Sequence, residues 1–157
     1  MFTDDTEGDA EKSEEISMFK YSQDYVFSTV SIGHTFLDMI RDFNASKGTS
    51  QKPNGFLAGA EHRDIFIQYL NILCQNVSSL FECEQKLIKI NSPAFVIGDI
   101  RGNLEDLLLM ERILWQEVPV VPNNFVFLGN YVNIGKWSVE CVLYIFALKI
   151  IAPNKVS

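Results

Sequence analysis

The sequence predicts an α/β fold with parallel strands, and three observations carry that expectation. Two short apolar runs, Ala94–Ile97 and Phe125–Leu128, each stop at a glycine-bracketed polar turn. The first turn reads Gly98-Asp-Ile-Arg-Gly102 and the second Gly129-Asn-Tyr-Val-Asn-Ile-Gly135. Each turn is followed by a segment with helical periodicity, and Lys155-Val-Ser157 then starts a further extended piece. Strand, helix, strand, helix is a βαβα unit, whose strands run parallel. Polar turns at the carboxyl ends of parallel strands gather at one edge of the sheet, where open α/β sheets take their ligands. The two turns are therefore expected to form one composite site.

In chain order, residues 1–17 hold Asp4, Asp5, Glu7, Asp9, Glu11, Glu14 and Glu15 against Lys12, which accounts for most of the net charge of −7. They read as a disordered acidic tail, because nothing in them can bury enough apolar surface. Residues 18–60 read as an extension, a short helix and a loop. In it Phe19, Tyr21, Tyr25, Phe27, Val30 and Ile32 have mixed spacing, suited to packing on the domain. Phe36, Leu37, Ile40 and Phe43 recur at helical spacing, and Asn44–Gly59 is rich in loop-forming residues. Residues 61–157 read as the main domain. Glu61–Cys83 is the clearest helix, with a stripe of Phe66, Tyr69, Leu70, Leu73, Val77 and Leu80. Glu84–Asn91 is expected to continue as a short helix or a strand. After the first strand, Asn103 is placed to cap a helix with Asp106 three residues on, and that helix is expected to bury Leu104, Leu107, Leu108, Ile113 and Leu114. Val118–Asn124, with two prolines, is a loop, and Ser138–Ile151 is a helix apolar on most sides.

Outside the tail the chain is close to neutral and has no basic patch, which argues against nucleic acid as a partner. The longest fully apolar run, Cys141–Leu148, is far short of the ~20 residues of a membrane span. Cys74, Cys83 and Cys141 are odd in number and lack CxxC spacing, so they are expected to be buried free thiols in a reducing compartment. With an acidic N-terminus unlike a secretory signal, the expected location is cytoplasmic or nuclear. His34 and His62 have no neighbouring ligand partners in sequence and are expected to be structural.

The two turns resemble a known family. Val96-Ile-Gly-Asp-Ile-Arg-Gly-Asn-Leu-Glu-Asp-Leu-Leu108 resembles the GDxHGxxxDLL motif of phosphoprotein phosphatase (PPP) family Ser/Thr protein phosphatases. Phe125-Val-Phe-Leu-Gly-Asn-Tyr-Val-Asn-Ile-Gly-Lys-Trp-Ser-Val-Glu140 resembles their FLGDYVDRGxxSxE motif. The resemblance covers roughly Leu37 to Ser157. It implies the N-terminal half of a calcineurin-like metallophosphoesterase αββα sandwich, in which two metal ions activate a hydroxide for attack on phosphoserine or phosphothreonine.

Carried over by position, the resemblance leaves little of that chemistry. Asp99 keeps a metal-ligand type. Arg101 stands where the family has a ligand His, and a guanidinium has no lone pair to give. Asn130 stands for the Asp that bridges the metals and offers at most weak ligation. The vestigial catalytic positions are Asn133, in place of the Asp that orients a catalytic His, and Ile134, in place of the phosphate-binding Arg. The glycines Gly98, Gly102, Gly129 and Gly135 survive, and the sequence stops before the third motif, GNHE. The expectation is a catalytically inactive pseudophosphatase fragment that binds no cofactor and acts, if at all, on protein partners such as regulators of active phosphatases. The alternative is a weak metal-dependent phosphatase holding one Mn²⁺ or other divalent ion. A chain of this extent is further expected to expose an apolar sheet edge and to be marginally stable, aggregated or partner-bound. Arg101 is expected either to pair with Asp99 or to point into solvent.

Overall fold

The computed structural model describes residues 31–46, 63–116 and 118–157. The expected acidic tail, the aromatic segment up to Val30, most of the expected loop Asn44–Gly59, His62 and Glu117 lie outside the described residues.

Helix α1 spans Ile32–Ser46. Ser31 opens it, its carbonyl taking the Thr35 N–H at 3.1 Å and its hydroxyl lying 2.6 Å from His34 Nδ1. Phe36, Leu37 and Ile40 form its buried stripe. This stripe packs chiefly on the last helix, α4 (Ser138–Ile151). The crossing is close: a Cβ at Gly33 would stand 2.9 Å from both the Ala147 carbonyl oxygen and Ile151 Cγ1. Helix α4 is buried nearly all round, because α1, α2 and α3 all pack against it.

Helix α2 (Arg63–Glu82) buries Phe66, Leu73 and Val77, with Leu70 and Leu80 half-buried. Tyr69, expected in that stripe, is 39% exposed. Positions 66, 70, 73, 77 and 80 already complete one face, and residue 69 is turned about 100° from residue 70. Glu84–Asn91, expected to be a helix or a strand, forms no regular element. Of the cysteines, Cys141 is buried but Cys74 and Cys83 are exposed, contrary to expectation. Cys74 is one step round the helix from buried Leu73, and Cys83 lies just past the helix end.

Strand β1 (Ala94–Ile97) pairs in parallel with β2 (Asn124–Phe127), Ala94 opposite Asn124 and Ile97 opposite Phe127. The residues after α4 add to the other side of β2: Phe125 N–H donates to the Lys155 carbonyl at 2.7 Å, and Ser157 N–H to the Phe125 carbonyl at 2.9 Å. Val156 thus makes an isolated parallel bridge to Phe125, where the sequence suggested a further extended piece. Helix α3 (Leu104–Leu114) makes the crossover. One face of the sheet is core: Phe125 and Phe127 meet Trp115 edge-on, and Phe95 stacks on Phe125. The alternate residues Val96 and Leu128 face away and are 64% and 68% exposed.

Two buried polar networks tie the helices. Arg41 of α1 donates from Nη2 to Glu111 of α3 at 2.5 Å, and the Glu111 carboxylate lies against the Tyr144 hydroxyl, which accepts from Trp115 Nε1 at 3.0 Å. Buried Lys149 of α4 donates to the Val156 carbonyl at 2.6 Å and the Pro153 carbonyl at 3.0 Å, and pairs with Glu84. Among the described residues no helix is long and apolar enough to cross a membrane.

Candidate functional site

The turns that follow β1 and β2 lie against each other, and backbone hydrogen bonds join them. Arg101 N–H donates to the Asn130 carbonyl at 2.9 Å and Gly102 N–H to the Tyr131 carbonyl at 2.7 Å. In return Gly135 N–H donates to the Arg101 carbonyl at 2.6 Å, and Trp137 N–H to the Gly102 carbonyl at 3.2 Å. This contact explains two of the glycines. Gly102 has φ +78°, and a Cβ there would stand 2.8 Å from Ser138 Oγ, while one at Gly135 would land on the Gly102 carbonyl. Gly129 also has positive φ, whereas Gly98 has neither a close neighbour nor a left-handed backbone. Nothing in the structure explains Gly98.

Asn103 caps α3 as predicted, its Oδ1 accepting from Asp106 N–H at 3.2 Å. The Asp106 side chain does not reach back to the Asn103 backbone; it accepts from Asn103 Nδ2 instead. This cap fixes where the first turn ends and therefore where Arg101 stands.

Three of the sequence-singled residues come together. Asp99 Oδ2 accepts from Arg101 Nε at 2.8 Å, from Arg101 Nη2, and from Asn130 Nδ2 at 2.7 Å. Of the two expectations for Arg101, the pairing is the one found. Arg101 and Asn130 both stand on left-handed backbone, φ 51° and 55°. The Arg101 hydrogen bonds, and then the Asn130 amide, hold the Asp99 carboxyl below its usual carboxylate range. The other two residues do not join this group. Asn133, at φ 92°, gives its backbone N–H to Ser138 Oγ at 3.3 Å, and Ile134 is 72% exposed.

The group opens on a depression of about 530 Å³ lined by Asp99, Arg101, Glu105, Ile134, Lys136 and Trp137 among others. Glu105, Lys136 and Trp137 had not been singled out from the sequence. Their position immediately after the two turns was the available signal.

The donor set does not fit a pair of divalent ions. Such a site needs several anionic oxygens and neutral imidazoles. In the paired turns Asp99 is the one carboxylate, it already accepts three N–H donors, and Asn130 presents its nitrogen to it; Glu105, in the first turn of α3, is the other carboxylate lining the depression. Among the described residues no three His, Cys, Asp or Glu side chains gather to hold a metal ion.

No protein-family model matches the chain. Over 84 residues, 54% of its length, it is 33% identical to a PP2A-like serine/threonine-protein phosphatase of Saccharomyces cerevisiae. Over 85 residues it is 32% identical to a provisionally named serine/threonine-protein phosphatase of Schizosaccharomyces pombe. The chain covers 22% of the first relative and 27% of the second, about a quarter of their length. Over half of its own length, therefore, the chain is similar to serine/threonine-protein phosphatases.

Proposed function

We propose that this chain is a phosphatase-like protein that does not hydrolyse phosphoesters and acts by binding protein partners, regulators of active phosphatases being the class that such a frame suits. The observation that carries this reading is the state of Asp99. The one carboxylate in the paired turns is taken up by Arg101 and Asn130 of the same chain. Hydrolysis would further need a base to activate water and a cation to hold the phosphate. Asn133 and Ile134 supply neither, since an amide does not take up a proton at neutral pH and an alkyl chain cannot pair with an anion. The backbone frame and the apolar residues Val96, Leu128 and Ile134, exposed beside it, support binding as the remaining role.

The test is hydrolysis of a phosphoserine and a phosphothreonine peptide in Mn²⁺, with Asp99→Ala as control. No turnover above that control is expected. Turnover that disappears in Asp99→Ala would establish the alternative, a weak metal-dependent phosphatase, and overturn the proposal.

A further inference from the structure

We propose that the Arg101 guanidinium is a tethered cation, which neutralises Asp99 and takes the place of a divalent ion between the paired turns. This rests on the reading of the chain as a phosphatase-like frame, and says what has become of its ion site.

Three observations carry it. The first is the geometry of the donors. Two nitrogens of one guanidinium and the amide nitrogen of Asn130 converge on a single oxygen, Asp99 Oδ2. That convergence bridges the turns, because Asp99 and Arg101 belong to the first and Asn130 to the second. A cation bound between the turns would do the same by collecting oxygens from both; here nitrogen donors collect on one oxygen.

The second is the backbone of Arg101. A non-glycine residue at φ 51° is in a region disfavoured for a side chain of this kind, and such conformations persist where the surroundings hold them. The Arg101 N–H and carbonyl are both bonded to the second turn. In that conformation the side chain folds back over two residues onto Asp99. Local backbone geometry thus aims the charge.

The third is the charge around the group. Lys136 and Glu105 line the same depression with opposite charges, so the cation that a divalent ion at Asp99 would have to displace is Arg101 itself. A tether two residues long also holds Arg101 beside Asp99 without the loss of translational freedom that binding a free ion entails.

The experiment follows the uptake of Mn²⁺ by its electron paramagnetic resonance signal, with thermal melts in Mn²⁺ and in EDTA. The full chain, Arg101→Lys and Arg101→His/Asn130→Asp are compared, each checked for a native circular dichroism spectrum. The full chain and Arg101→Lys are expected to take up no Mn²⁺ at millimolar concentration and to melt identically in Mn²⁺ and EDTA. Arg101→His/Asn130→Asp is expected to bind Mn²⁺ at least tenfold more tightly than the full chain and to melt higher in Mn²⁺. Mn²⁺ binding by the full chain would overturn the proposal, and so would a folded double variant that binds no better. Metal uptake and hydrolysis are separate readouts. A full chain that binds Mn²⁺ yet hydrolyses nothing refutes the tethered cation alone. One that hydrolyses phosphopeptide without taking up Mn²⁺ refutes the proposed function alone.

Discussion

Two arginine–carboxylate pairs in this molecule use the same chemistry to different ends. Arg41 and Glu111 are 70 residues apart in sequence, and they join α1 to α3 with the Glu111 side chain only 8% exposed. Arg101 and Asp99 are two residues apart, and their side chains are 49% and 48% exposed. The first pair lies where a lone charge would be costly, so it belongs to the fold. The second lies in water, where an ion pair adds little stability. What the second pair determines is which atoms of Asp99 remain available, and that is a matter of function. Similar distances in a structure therefore do not imply similar roles; burial and sequence separation decide between them.

Breaking the inner pair is expected to have the largest effect. Arg41→Ala leaves the Glu111 carboxylate nearly buried without its cation, beside the Tyr144 hydroxyl. The cost of an unpaired buried charge, reduced for the partial exposure of Arg41, is about 2–3 kcal/mol. Urea unfolding at pH 7 checks this, and a loss below about 0.5 kcal/mol would place the pair with the surface ones.

A middling effect is expected at Tyr144, which connects Glu111 to Trp115. Tyr144→Phe removes the hydroxyl that accepts from Trp115 Nε1, a loss of about 1–2 kcal/mol. The pH dependence distinguishes this from a packing defect. Burial, and then the Glu111 charge, push the Tyr144 phenol well above its usual 10.0. Its folded pKa is thus raised, so its contribution is complete below pH 10 and is lost as pH climbs from there through the folded value. The wild type should therefore lose stability more steeply above pH 10 than Tyr144→Phe. Parallel curves would mean that Tyr144 is not held neutral by its surroundings.

The smallest change is expected at the outer pair. Arg101→Ala should shift stability by roughly 0–1 kcal/mol in the same urea experiment, since both partners remain solvated. A loss as large as that of Arg41→Ala would make the turn pair part of the fold and erase the contrast.

The same contrast shows which features could be read from the sequence. Strands, crossover helix and the meeting of the two turns follow from the apolar runs and from Gly102 and Gly135. Only glycine allows those backbones to touch, and the residue type announces the need. The Asn103 cap was legible for the same reason. The inner pair was hidden because residue type and helical position disagree. Leu104, Leu107, Leu108 and position 111 follow the period of one helix face, yet position 111 is a glutamate. Ile113, expected inside on hydropathy, is 70% exposed because it lies off that face. The period was right and the residue type misled, since the arginine that makes Glu111 tolerable comes from another helix. At the turns, substitution of the resembled motif pointed to lost chemistry at Arg101, Asn130, Asn133 and Ile134. That Arg101 pairs with Asp99 was one of two expectations, and the choice between them depended on the left-handed backbone at 101, which an arginine does not announce, whereas the asparagine at 130 is a residue type that favours it.

The most direct measurement is a ¹H–¹⁵N NMR spectrum of the full chain recorded with sub-stoichiometric Mn²⁺, which broadens every amide near a bound ion. If Arg101 holds Asp99 as the structure places it, the amides of Asp99, Arg101, Gly102 and Asn130 keep their intensity, and the Arg101 Nε–H remains visible and slow to exchange. Selective loss of those signals in Mn²⁺, with the Arg101 side chain released into fast exchange, would contradict it.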